Sequence, residues 1–153
     1  MIKNLQYLIE EITKYGLEQN FIGNKYLFKL EKTLLKLLSF HIENEFLGDD
    51  AEYRDFDRDE FFYIKDNLII NFKSLQNYKY FDDITNLTDV QDIKIGNVID
   101  DLNNVILDLL EVKYRIDYNG EIAGLSTFDH LFTLNMKEKI LSTLIYLNRI
   151  KNN

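Results

Sequence analysis

Apolar residues recur along this chain at steps of three and four, and the longest run of that pattern lies between Gly96 and Arg115. Val98, Leu102, Val105, Leu109 and Val112 form one stripe, widened on one flank by Ile99, Ile106 and Leu110. Asn97, Asp101, Asn104, Asp108 and Glu111 repeat at the same spacing on the far side. A strand of this length would scatter both sets over two faces. The spacing therefore predicts an amphipathic helix with one buried face and one face turned to water, a metal or a partner. Asn97 reads as its N-cap, and Asp117, Tyr118, Asn119 and Gly120 form a turn cluster that ends it.

The same period organises most of what precedes and follows. Ile2, Leu5, Leu8, Ile9, Ile12 and Tyr15 predict a first helix to about Gln19, with Gly16 weakening its last turn and Asn20 to Gly23 as the break. Leu27, Leu30, Leu34, Leu37 and Leu38 predict a second, from about Asn24 to Phe46, stopped by Gly48. A third helix is expected from Asp57 as N-cap to about Tyr78, with Phe61, Phe62, Ile64, Leu68, Ile69 and Phe72 on its core face. Tyr80 to Ile95 has no clean period, although Thr88 and Gln91 have capping-box spacing and predict one helical turn. A last helix is expected from after Ser126 to about Ile150, with Phe128, Leu131, Phe132, Met136, Ile140, Leu144 and Leu147 inward. Five helices with moderate connections predict an all-α, single-domain bundle over residues 1–153.

Composition narrows the chemistry. The chain has 153 residues and no cysteine, which excludes disulfides, thiol catalysis and cysteine-ligated metal sites. The opening segment carries Glu10 and Glu11 inside its apolar pattern and lacks a small-residue cleavage site, so it does not read as a signal peptide. No apolar run has the length to span a bilayer. A cytoplasmic protein is the expectation.

The formal charge of −8 is concentrated. Glu43, Glu45, Asp49, Asp50, Glu52, Asp55, Asp57, Asp59 and Glu60 are opposed in that stretch only by Arg54 and Arg58. Such a field repels nucleic acid and attracts a basic protein. Tyr53, Phe56, Phe61, Phe62 and Tyr63 interleave with these acids. Aromatics among carboxylates suit a basic, partly apolar partner. They equally suit a solvated loop in which Tyr53 and Phe56 pin the chain and Phe61 and Phe62 belong to the core.

Catalytic sets are thin. Asp55 to Glu60 begins with the aspartate spacing of a calcium loop, but that loop needs glycine at its sixth position and glutamate at its twelfth, where this chain has Glu60 and Asp66. His41 and Glu45 stand four apart, a zinc-compatible spacing, and His130 on the last helix is the only other histidine. A di-iron bundle would need Glu-x-x-His on two helices, and none is present. Asp100, Asp101 and Asp108 resemble a paired-carboxylate site, but their neighbours on the polar stripe read as solvated rather than apolar. Asp101 or Asp108 would instead hold a neighbouring helix by its N-terminal amides.

The run GNVIDDLNNVILDLL resembles the central helix of a bacterial family, domain of unknown function 5063. That helix opens with a small residue and a capping serine and continues roughly A-D-D-L-A-D-I-Y-x-D-L. Asp100, Asp101, Leu102, Val105, Asp108 and Leu109 fit it, Asn97 stands at the serine and Asn104 replaces an aspartate. The resemblance implies a small helical bundle without an established activity. The family's last helix carries an aromatic-rich His-Trp-Gly stretch and a further histidine, whereas Asn135, Met136, Lys137 and Lys139 stand here.

These features predict a non-catalytic binding module with no cofactor or metal, specifically an immunity protein that neutralises a basic bacterial toxin. The expected contact residues are Glu52, Tyr53, Asp55, Phe56, Asp57 and Asp59. A metal protein or enzyme built on His41, Glu45 and His130 is the alternative. A structural adaptor whose last helix docks on a fellow chain is a third.

Overall fold

A computed structural model describes residues 1–88 and 90–151. The order of elements is α1 (Ile2–Leu17), α2 (Asn24–Glu43), a 3-10 turn (Arg58–Phe61), α3 (Ile64–Asn71), β1 (Asn77–Tyr80), β2 (Lys94–Asn97), α4 (Val98–Asn119), α5 (Glu121–Leu131), a π turn (Phe132–Met136) and α6 (Lys137–Lys151). Helix α5, the π turn and α6 follow one another without a break, so the fold is an all-α bundle of five rods with one small antiparallel ribbon.

Helix α4 is the axis, and α1, α3, α5 and α6 all pack on it while α2 closes the bundle against α1 and α6. Asn97 caps it as the sequence predicts, its side chain accepting the Asp100 amide at 3.0 Å. Its C-terminal end falls at Gly120, where φ of 98° suits glycine and turns the chain back into α5. The expected wet face is much reduced: from Gly96 to Val112 every residue is at least partly covered, although the Asp100 side chain is still half exposed. The polar stripe is covered instead by the ribbon and by residues 44–61, and Asp108 is buried. An amphipathic period identifies which face is apolar; it does not say that the polar face is left to water.

Helix α1 ends against α3. Two buried asparagines of α3, one turn apart, serve the carbonyls left unpaired at the α1 terminus. Asn67 donates to the Gly16 carbonyl at 2.8 Å, and Asn71 donates to those of Tyr15 and Glu18 at 2.8 and 2.7 Å. Asn71 also accepts the Phe21 amide at 3.2 Å, fixing the chain as it leaves for α2. Gly16 is required there for space rather than as a weak turn. A Cβ on it would lie 2.6 Å from Ile64 Cγ2 and 3.1 Å from Ile106 Cδ1.

The third helix departs most from its expectation. It begins as the 3-10 turn, becomes α-helix only at Ile64, and stops at Asn71 rather than near Tyr78. Phe62, expected in the core, is 82% exposed, and Ile69 is exposed too. Phe72 and Leu75 keep their buried places by a turn, with the Leu75 amide on the Phe72 carbonyl at 3.1 Å. Asn77 to Tyr80 then pair as β1 with Lys94 to Asn97, in register Asn77↔Asn97 through Tyr80↔Lys94. A strand whose partner lies this far along the sequence leaves no local period.

The expected helical turn at Thr88 and Gln91 spans Asp89, outside the described residues. Gln91 reaches back to the Asp83 carbonyl at 2.8 Å, and the Thr88 amide donates to Asn86 Oδ1 at 3.2 Å. The last helix starts at Glu121, before Ser126, and its π turn places Phe132 and Met136 in the core. Among the described residues no helix is long and apolar enough to cross a membrane.

Candidate functional site

Between α2 and the 3-10 turn, residues 44–57 form a strap without regular structure that lies over α4 and α5. Helix α2 stops at Glu43, three residues short of its expected end, because Asn44 turns out and donates its amide to the Phe40 carbonyl at 2.7 Å. The strap is then fastened at intervals by side chains that point inward. Phe46 stacks on His41 at 5.3 Å and leans on Phe128 at 5.7 Å. The Asp49 amide donates to Ser126 Oγ at 3.1 Å. Phe56 packs against Phe61 and Tyr114, each at 5.6 Å.

The last fastening is ionic. Arg58 Nη2 donates to Asp108 Oδ1 at 2.5 Å and to Glu111 Oε2 at 2.8 Å. Burial opposes the Arg58 charge, but its hydrogen bonds to Glu111 and Asp108 outweigh that and raise its pKa. Burial pushes the Asp108 carboxyl above its ordinary range, with Arg58 pulling the other way. Asp108 Oδ2 is buried without a hydrogen-bond partner. Neither Asp101 nor Asp108 holds the N-terminal amides of a neighbouring helix. Asp101 accepts the Tyr78 hydroxyl at 2.6 Å, and Asp108 accepts a guanidinium.

The expected contact residues divide by chemistry. Glu52, Asp55, Asp57 and Asp59 are exposed, whereas Tyr53 and Phe56 are half-buried anchors. Asp57 also accepts the Asp59 amide at 3.0 Å, which caps the 3-10 turn. The outer face therefore presents carboxylates, and Phe62, 82% exposed, follows them along the chain.

Between the strap, α4 and α5 is an open cavity of 340 Å³ whose walls include Asp49, Tyr53, Glu111, Arg115, Ser126 and His130. Arg115 is 7% exposed, lies 3.9 Å from Glu111, and has the rings of Tyr53 and Tyr114 at 5.5 and 5.3 Å. Asp49 accepts the Tyr53 hydroxyl and, at 3.0 Å, the Ala51 amide. These bonds, Tyr53 first, hold its carboxyl below the usual carboxylate range, and the same contact raises the Tyr53 phenol.

The histidines of the metal alternative face different surroundings. His41 is stacked between Phe46 and Phe132, with Nε2 2.8 Å from Asp129. Glu45 is past the end of α2 and exposed, and His130 is at the cavity rim. Among the described residues no three histidine, aspartate or glutamate side chains are grouped to hold a metal ion.

Arg58, Arg115 and Ser126 have no place in the sequence reading of the site. Arg115 carried a signal, since it extends the 101–104–108–111 spacing by one more step. Arg58 carried none, because only the folded path of the strap brings it to Asp108. No family model, curated protein or solved structure matches this chain.

Proposed function

We propose that the chain is a non-catalytic protein-binding module, an immunity protein that binds and neutralises a basic bacterial toxin in the cytoplasm. The observation that carries this reading is the sorting of side chains along the strap. Its aromatics are spent on fastening it, while Glu52, Asp55, Asp57 and Asp59 are left facing out. A fastened segment loses little further conformational freedom on binding, which favours affinity. Its carboxylates accelerate encounter with a cationic surface. Phe62, 82% exposed and two residues beyond Glu60, supplies the large apolar side chain that an interface anchor needs.

The test uses the full chain as bait in the native host beside an Asp55→Lys/Asp57→Lys version. The expected result is a basic polypeptide, retained at stoichiometry by the first and in lower yield by the second, whose toxicity is suppressed when this chain is co-expressed. With that polypeptide purified, the double substitution slows association by about ten-fold at low salt and less at high salt. An association rate indifferent to both lysines overturns the reading.

A further inference from the structure

The cavity beneath the strap gathers several hydrogen-bond donors beside two carboxylates that already accept bonds. Asp49 is occupied by the Tyr53 hydroxyl and the Ala51 amide, and Glu111 by Arg58, with Arg115 3.9 Å away. On the donor side, Arg115 Nη1 is buried and has no hydrogen-bond partner. A buried donor without a partner is rare in native proteins and marks a place for an absent acceptor. Ser126 Oγ accepts the Asp49 amide, and a hydroxyl that accepts one bond still has a proton to donate. Thr127 and His130 add further donor capacity to the same walls.

We propose that this cavity binds a small monocarboxylic acid of about benzoate's size, its carboxylate accepting hydrogen bonds from Arg115 Nη1 and the Ser126 hydroxyl. The planar fork of a guanidinium matches a carboxylate. The Tyr53 ring in the same walls offers flat apolar surface to the rest of the ligand. A phosphate dianion fits worse than a carboxylate, because Asp49 and Glu111 in the same walls repel two negative charges more than one. The cavity's 340 Å³ lies at the small end of ligand pockets, so it admits a small acid and not a large one. Nη1 is closed to solvent in this conformation, so a ligand reaches it only after a neighbouring side chain shifts. Tyr53, whose ring has the guanidinium over it at 5.5 Å, is one such neighbour in the cavity wall. That residue belongs to the irregular strap, whereas the opposite walls are α4 and α5. This inference is independent of the toxin reading, since it concerns the inner side of the strap.

The test is a titration of the isotope-labelled full chain with sodium benzoate, to about 10 mM at constant ionic strength, followed by NMR. The expected result is a saturable shift of the Arg115 Nε–H signal and of the Asp49, Ala51 and Ser126 amides. Acetate should compete, and inorganic phosphate should give no saturable shift. Arg115→Lys keeps the charge but loses the fork, and should weaken benzoate by about ten-fold. Ser126→Ala should weaken it by about five-fold. If the lysine variant does not fold, Ser126→Ala and Thr127→Val decide the matter alone. The absence of saturation, affinity unchanged in the folded variants, or phosphate binding as tightly as benzoate would each overturn the proposal.

Discussion

Among the described residues, two long irregular connections are fastened in opposite ways. The strap of residues 44–57 and the β1–β2 connection of residues 81–93 both mix acids with large apolar residues. In the strap, Phe46, Tyr53 and Phe56 are all turned onto the bundle. In the connection, Phe81, Ile84, Leu87 and Ile93 are exposed, Leu87 at 91%. Its order is local: Asp83 accepts the Thr85 amide at 2.9 Å and hydroxyl at 2.6 Å, and Gln91 closes back on Asp83. The difference lies in the surface underneath. Asp108, Glu111, Tyr114 and Ser126 offer the strap charge, a ring and a hydroxyl, and each is used. Composition does not decide whether a loop is ordered against a core; the groups it lands on do.

The comparison is broken most directly at Arg58. Arg58→Met leaves Asp108 buried with no cation, and we expect a loss of about 2–3 kcal/mol in urea unfolding at neutral pH. The loss should depend on pH in a defined direction. The folded-state pKa of Asp108 already lies above 3.8 through burial, and Arg58 holds it down. Without Arg58 it rises further, so the folded chain retains a proton that the unfolded chain releases. Stability of the variant then falls as pH climbs from 3.8 through the raised folded pKa, and its deficit is fullest above that window. A deficit that is flat across this range would mean that Asp108 does not carry the effect.

A smaller effect is expected at Phe56. Its ring is half-buried between Phe61 and Tyr114, so Phe56→Ala should cost about 1–2 kcal/mol, less than a fully buried phenylalanine. The same measurement on the other connection should return almost nothing. Ile84→Ser combined with Leu87→Ser should change unfolding free energy by no more than about 0.5 kcal/mol, since both side chains are already in water. Equal costs at the two connections would erase the distinction drawn between them.

How far the sequence reached can be followed residue by residue. Leu5, Leu30, Leu34, Leu102, Val105, Leu109, Phe128 and Ile140 repeat at the helical period and are all buried. Asn97 caps α4 because a capping side chain acts on the amide three residues ahead, a relation contained in the local sequence. The third helix ends short of the predicted Tyr78 because Phe72 and Leu75 keep the helical spacing while the backbone has already turned toward β1. At the site, the acids of residues 52–59 are visible by charge, and the inward turn of Tyr53 and Phe56 is one of the two readings the sequence offers, but the outward turn of Phe62 goes against its expected place in the core.

The sequence by itself determined the bundle, its axis and the concentration of negative charge, because periodicity, capping and composition act over a few residues. Only the tertiary structure decided that the polar stripe of α4 is covered, that Asn67 and Asn71 complete the end of α1, and that Arg58 and Arg115 meet the same glutamate. Those outcomes join groups tens of residues apart, and a buried polar atom takes its partner from whatever the fold brings within reach.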